Sequence, residues 1–244
     1  MDTQLLVNGA HKLGVNINDT MAAQFSAYTE LLLKWNETMN LTTITDPDDI
    51  VIKHYLDSLT CLKAVKFRKG DIVADVGTGA GFPGVPLAIV RPDVKVVLID
   101  ATRKRLSFLE EVINTISNLA EEGNAPNIEI LQARAEDAGR MPEHREHYNI
   151  VVARAVAEMR ILVEYCLPLV KLGGVFVAMK GPQVEGELAL ARPGIGTLGG
   201  GRPEIVELTL PGTDIQRSLI VIKKIKPTPE QFPRHGSKIA QKPL

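Results

Sequence analysis

The run DVGTGAGFPG, from Asp75 to Gly84, directly follows the apolar stretch Ile72 to Val76. A buried strand that breaks into a glycine-rich turn and then enters a helix predicts the ligand-binding corner of a doubly wound α/β sheet. Gly77, Gly79 and Gly81 let the chain turn tightly and let a ligand approach the backbone. Pro83 and Pro86 suit the first turn of the helix that follows, where a missing N–H costs little.

The rest of the chain agrees with such a sheet. Lys95 to Asp100, Ile128 to Gln132, Asn149 to Ala153 and Val175 to Met179 read as further buried strands. Leu106 to Leu119 and Ile161 to Val170 have helical spacing. Alternation of this kind predicts parallel strands joined by right-handed crossovers, with helices on both faces. Glu204 to Leu210 and Leu219 to Ile225 leave no room for a crossover helix, so an antiparallel hairpin is expected there. Ala191 to Pro203 is dense in glycine and proline and predicts a mobile surface loop.

Ahead of the sheet, Met21, Phe25, Tyr28, Leu32, Trp35 and Met39 mark one face of a helix opened by Asn18 to Thr20. Asp46-Pro47 supplies a cap and a first-turn proline for a second helix, with Val51, Tyr55, Leu59 and Leu62 on its apolar face. The expected organisation is a helical cap over residues 1–66, a ligand-binding domain over 67–226 and a basic tail over 227–244.

With 45% hydrophobic and 23% charged residues, the 244-residue chain can bury a sizeable core. No apolar run spans a bilayer and the N-terminus has no signal-peptide pattern, so a cytoplasmic protein without a membrane partner is expected. Cys61 and Cys166 stand far apart, with no metal-ligand spacing and no disulfide framework. Net charge is −1, yet from Lys223 onward six cations face the single anion Glu230. Such a tail is either a solvated end or part of a nucleic-acid footprint.

Gly79 to Gly84 matches the GxGxxG pattern of dinucleotide sites, but the match begins two residues late. Asp75, at the strand end, opposes a pyrophosphate and suits a ligand carrying an ammonium and a sulfonium. S-adenosylmethionine has both and no phosphate. Asp100, closing the second strand, is placed to accept both ribose hydroxyls. Ala135-Glu136 lies where an adenine would rest, Phe82 packs near the ligand, and Arg154 is expected at the mouth of the same cleft.

At this point the chain resembles a known family. LLLKWNETMNLTTITDPDDIVIKHYLDSL, DVGTGAGFPGVPLAI, ARAED, VARAVAE, GGVFVAMKG and FPRHGSKIAQKPL are similar to ribosomal small-subunit methyltransferase G, also called glucose-inhibited division protein B. The resemblance runs from about Leu31 to Leu244. It implies a Rossmann-like class I methyltransferase sheet and methyl transfer to N7 of a guanine in bacterial 16S ribosomal RNA, free or within the 30S subunit. It also implies cofactor positions at Gly77, Phe82, Asp100, Ala101, Thr102, Ala135, Glu136 and Arg154. Ala120 to Asn127 and the glycine-rich Ala191 to Pro203 depart from the expected pattern without touching a motif residue.

Guanine N7 carries an exposed lone pair, so alignment and exclusion of water matter more than a general base. The chain lacks an Asn/Asp-Pro-Pro-aromatic segment and a Pro-Cys nucleophile, in keeping with such chemistry. His54 and Asp57 share a helix face, as a structural pair or as substrate contacts. Lys180 is placed for phosphate contact, with Arg105 and Arg234 as further RNA candidates. No metal site and a monomer are expected. An NAD-dependent oxidoreductase, a non-catalytic RNA-binding or assembly protein, and a methyltransferase with a small-molecule or protein acceptor are the competing readings.

Overall fold

A computed structural model describes residues 1–244. Its N-terminal helix α1 (Thr3–Lys12) is capped by Asp2, whose carboxylate accepts the N–H groups of Gln4 and Leu5. This helix has almost no sequence signature, because its buried face consists of Leu6, Gly9 and Ala10. Helix α2 (Asp19–Met39) is capped by Asn18 and ends on Asn40 in the left-handed conformation. Of its apolar stripe, Phe25, Tyr28 and Leu32 are fully buried.

Asp46 caps α3 (Pro47–Ile50) by accepting from Asp48 and Asp49 N–H, with Pro47 in the first turn as expected. The helix then widens into a π-helical stretch over Val51–Leu56 before α4 (Asp57–Leu59) and α5 (Cys61–Ala64). Such widenings are uncommon and concentrate at functional positions. This one carries His54 and leads straight into Asp57.

The sheet follows with β1 (Ile72–Val76), α6 (Gly84–Val90), β2 (Lys95–Asp100), α7 (Arg103–Asn118), β3 (Asn127–Gln132) and α8 (Ala135–Ala138). Next come β4 (Tyr148–Arg154), α9 (Met159–Cys166), β5 (Val170–Lys180), α10 (Glu185–Thr197), β6 (Glu204–Thr209) and β7 (Gln216–Lys223). Strand order is β3-β2-β1-β4-β5-β7-β6, with β7 antiparallel to both neighbours. The order reverses between β1 and β4, which opens a crevice at the carboxyl ends of those strands.

Two apolar clusters fill the two faces. One joins Phe25, Tyr28 and Tyr55 of the helical cap to Val73, Leu98 and Phe108 of the sheet domain. The other packs α9 and α10 on the opposite face through Leu162, Cys166, Ala191 and Ile195. The cap therefore has no separate core.

One expectation fails here. Ala191 to Pro203 is not a mobile loop: its first seven residues belong to α10, which tolerates Pro193 because Leu188, Ala191 and Ile195 are buried in that second cluster. Burial of the apolar stripe outweighs the propensity penalty of proline and glycine. Beyond it, a Cβ at Gly199 would overlap the Lys226 carbonyl oxygen, so this glycine serves close packing.

The C-terminal segment, open in sequence to either a solvated end or an RNA footprint, packs back on the fold. The Arg145 guanidinium donates to the carbonyls of Thr228 (2.8 Å) and Phe232 (2.7 Å). Lys224 is buried against the Leu167 carbonyl (2.6 Å) and Glu146 (3.1 Å), where desolvation pulls its pKa down. Arg234 pairs with the fully buried Glu164, and α11 (Gly236–Gln241) buries Ile239. Two of the six cations counted in the tail, Lys224 and Arg234, are thus engaged inside the fold.

Candidate active site

Two neighbouring cavities open at the crevice. The first, of about 230 Å³, is walled by Gly77, Asp100, Ala101, Thr102, Arg105, Ala135 and Glu136, together with Val156 and Tyr165. The second, of about 500 Å³, is walled by Lys53, His54, Asp57, Arg154, Lys180 and Arg217 among others. Ala155 lines one and Val156 the other, so a single peptide separates them. Ala155 sits in the left-handed region at φ 55°, a strained position that turns the chain between the two.

The glycine loop decides what the first cavity can hold. Gly77 and Thr78 N–H donate to the Ile99 carbonyl, and Gly81 and Phe82 N–H donate to the Thr78 carbonyl. Gly79 N–H donates to Asp100 Oδ2 (3.1 Å) and Gly84 N–H to Asp75 Oδ2 (2.8 Å). These donors, including the one at the start of α6, are consumed within the protein. A dinucleotide needs them free for its pyrophosphate. The loop therefore rejects a phosphate ligand and accepts a nucleoside without one, and S-adenosylmethionine fits that requirement.

Asp100 stands at the end of β2 on this wall. Its Oδ1 accepts Thr102 N–H (2.8 Å) and its Oδ2 also meets Arg105 (3.4 Å). Oδ1, with one donor, retains acceptor capacity for a ribose hydroxyl, and Oδ2 gains it where the hydroxyl replaces the long Arg105 contact. Glu136 is 7% exposed and faces the same space from α8.

Asp75 lies elsewhere than expected. It is fully buried, off the cavity wall, with Thr78 Oγ1 donating to Oδ2 at 2.6 Å and Oδ1 left without a partner. Desolvation pushes its pKa up to about 6. Its place is to fasten the loop and to cap α6. Gly81 also turns away from the cavity: a Cβ there would clash with Tyr28 Oη and Val85. Tyr28 Oη donates to the Ala80 carbonyl, so the helical cap grips the loop directly.

The second cavity is built on a stack. Phe82 lies under the His54 ring at 4.3 Å with a 15° tilt, and the Arg154 guanidinium sits 5.0 Å from the Phe82 ring centre. Arg154 Nη1 donates to Asp57 Oδ2 (2.8 Å) and to the Lys53 carbonyl (3.0 Å), while Nη2 donates to His54 Nδ1 (3.1 Å). Arginine has no acceptor, so Nδ1 carries the lone pair and Nε2–H is the donor to Thr42 Oγ1 at 2.8 Å. Burial, and then the Arg154 charge, lower the His54 pKa to about 3. The imidazole is neutral and both its nitrogens are occupied, so it offers no general base.

Gly77, Asp100, Ala101, Thr102, Ala135 and Glu136 thus share the first cavity, and Arg105 joins them although it was expected to face RNA. Arg154 was expected beside the cofactor but lines the second cavity, with His54 and Lys180. Lys180 is held by Glu187 (2.7 Å) and the Ala157 carbonyl (2.8 Å). The His54 and Asp57 side chains meet only through Arg154. Arg234 lies in neither cavity.

Arg217, Lys53, Tyr165 and Val156 escaped the sequence reading. Arg217 donates to Asp57 Oδ1 at 2.8 Å across 160 residues, and no local pattern announces such a pair.

A seven-stranded sheet with this hairpin, a nucleoside cavity at its switch point and a loop closed to phosphate define an S-adenosylmethionine-dependent class I methyltransferase. Similar solved structures include a predicted O-methyltransferase from Agrobacterium tumefaciens (TM-score 0.51, 19% identity, 77% of this chain and 94% of that one). Another is a mutant of the 16S rRNA (adenine(1408)-N(1))-methyltransferase from Catenulisporales acidiphilia (TM-score 0.50, 14% identity, 66% and 88%). At these identities the likeness concerns the fold.

The family model GidB, rRNA small subunit methyltransferase G, matches residues 21–211. A protein called ribosomal RNA small subunit methyltransferase G from Pelotomaculum thermopropionicum is 46% identical over 99% of this chain and 98% of its own length. Its namesake from Acetivibrio thermocellus is 44% identical over 99% and 96%. The chain belongs to the rRNA small subunit methyltransferase G family.

Proposed function

We propose that this methyltransferase methylates N7 of a guanine in 16S ribosomal RNA. The observation that carries this reading is the polarity of the second cavity. Besides the neutral His54, its polar side chains are the cations Lys53, Arg154, Lys180 and Arg217, while the one carboxylate, Asp57, is already taken by two arginines. The Hoogsteen edge of guanine presents two acceptors, N7 and O6. Adenine would place its N6 amino group, a donor, against these cations.

In this reading the first cavity holds the nucleoside of S-adenosylmethionine through Asp100 and Glu136, and Tyr165 and Val156 exclude water. When bound, the cofactor supplies an electrophilic methyl group. Arg154, immobilised by Asp57, His54 and Lys53, orients the base so that its N7 lone pair faces that methyl. No proton leaves N7 during the displacement, which agrees with a site whose only imidazole has both nitrogens engaged. The reading takes the protein as a monomer acting in the cytoplasm on RNA, free or within the 30S subunit. No helix is long and apolar enough to cross a membrane, and no group of three or more His, Cys, Asp or Glu residues is placed to hold a metal.

Transfer from radiolabelled S-adenosylmethionine to 16S RNA, to 30S subunits and to a small-molecule extract tests the reading. Label at a guanine that becomes cleavable by mild reduction and aniline is expected. Label only in the extract, or at a guanine resistant to that cleavage, overturns it.

A further inference from the structure

The C-terminal segment grips the nucleoside cavity from behind. Pro233 packs against Gly139, the residue that ends α8, and a Cβ at Gly139 would lie 3.0 Å from Pro233 Cγ. Arg234 fastens the turn to α9: its backbone N–H donates to Glu164 Oε1 (2.8 Å) and its Nη2 to Glu164 Oε2 (2.6 Å). Glu164 is fully buried, and its chain neighbour Tyr165 lines the nucleoside cavity.

Two residues further on, Gly236 rests against the Glu136 carboxylate. A Cβ on Gly236 would overlap Glu136 Oε1 and lie 3.0 Å from its Cδ. The backbone there is not left-handed, so it is space rather than conformation that calls for glycine. Glu136 has the cavity on one side and Gly236 on the other.

We propose that Gly236 is a positioning residue for the cofactor: seated by the Arg234–Glu164 pair, it fixes where the Glu136 carboxylate stands in the nucleoside cavity. The inference rests on reading that cavity as the S-adenosylmethionine site. It gives the segment a role in cofactor affinity rather than in capturing RNA.

The test is Gly236→Ala in the full chain, followed by calorimetry with S-adenosylmethionine and by steady-state methyl transfer. Displacing one charge-assisted contact predicts a roughly tenfold rise in Kd and KM for the cofactor. The kcat, the KM for RNA and the unliganded melting temperature stay near the parent values. In a Glu136→Ala background the same substitution has no further effect on cofactor affinity, because the added methyl then occupies vacated space.

Arg234→Lys, which keeps the charge on Glu164 but loses the fork, provides a second route if the alanine variant does not fold. It weakens cofactor binding in the parent and leaves it unchanged in the Glu136→Ala background. Cofactor affinity equal to the parent's, or the same loss in both backgrounds, overturns the inference while leaving the proposed function intact. A parent chain that binds no S-adenosylmethionine overturns both.

Discussion

Asp57 and Arg154 meet at 2.8 Å across 97 residues of sequence, joining the helical cap to the carboxyl end of β4. Both side chains are largely buried, at 4% and 15% exposure, and Arg217 approaches the other Asp57 oxygen. Removing the carboxylate leaves two cations facing each other without a counter-charge. Asp57→Ala is expected to destabilise the fold by about 3 kcal/mol, the scale for breaking a buried pair. Urea denaturation measures that loss, and methyl transfer should fall at least a hundredfold because Arg154 is released.

Asp100→Ala should raise the Kd for S-adenosylmethionine by more than tenfold, since the ribose loses its acceptor. Gly79 and Thr102 N–H lose theirs as well, so the loop relaxes. Unchanged affinity in a calorimetric titration would remove Asp100 from the cofactor site.

Tyr28→Phe leaves the Ala80 carbonyl without its donor while preserving the ring stacked 5.4 Å from Phe82. A buried acceptor left unpaired costs about 1–2 kcal/mol. The expected result is a lower thermal midpoint with a several-fold weaker cofactor affinity. A stability loss with full affinity would confine Tyr28 to packing.

The Asp75 carboxyl titrates near 6 in the folded chain because burial disfavours its charge, against 3.8 for an exposed group. Its folded pKa is raised, so its stabilising contribution is full below pH 3.8 and declines as pH rises through 6. Asp75→Asn removes this dependence. The stability difference between the parent and the variant should therefore shift by on the order of 3 kcal/mol between about pH 3.5 and 7, to the parent's disadvantage at high pH. Guanidinium melts at a series of pH values check the sign.

Arg234→Gln strands the Glu164 carboxylate, fully buried on α9. A loss of about 3 kcal/mol in unfolding free energy is expected. The salt dependence of RNA binding should not change, because this guanidinium is not available to a phosphate. A flatter salt slope with unchanged stability would return Arg234 to the RNA footprint.

Much of the fold was legible because it rests on local pattern. Val73, Val96 and Val151 lie in short apolar runs separated by helical spacing, and DVGTGAGFPG marks the switch point. Asn18 and Asp46-Pro47 announced their helices by capping chemistry that involves only neighbouring residues. The hairpin followed from the lack of room for a crossover. Helix α1 and the proline-bearing α10 stayed hidden, because burial against other elements stabilises them more than propensity does.

The amino-acid sequence by itself determined the strand–helix order, the glycine-rich ligand corner after β1 and the positions of Asp100 and Glu136 near it. Only the tertiary structure decided which charges are free. Asp75, Lys224 and Arg234 read as available in the chain, yet in the fold they serve Gly84, Glu146 and Glu164. It also decided that Arg154 belongs with Asp57 and Arg217. The reason is physical: a buried charge requires a partner within about 4 Å, and such partners come from wherever the chain returns in space. Periodicity and capping act within a few residues and are written in the sequence. Pairing of buried charges acts across a hundred residues and is settled when the sheet and its cap close on one another.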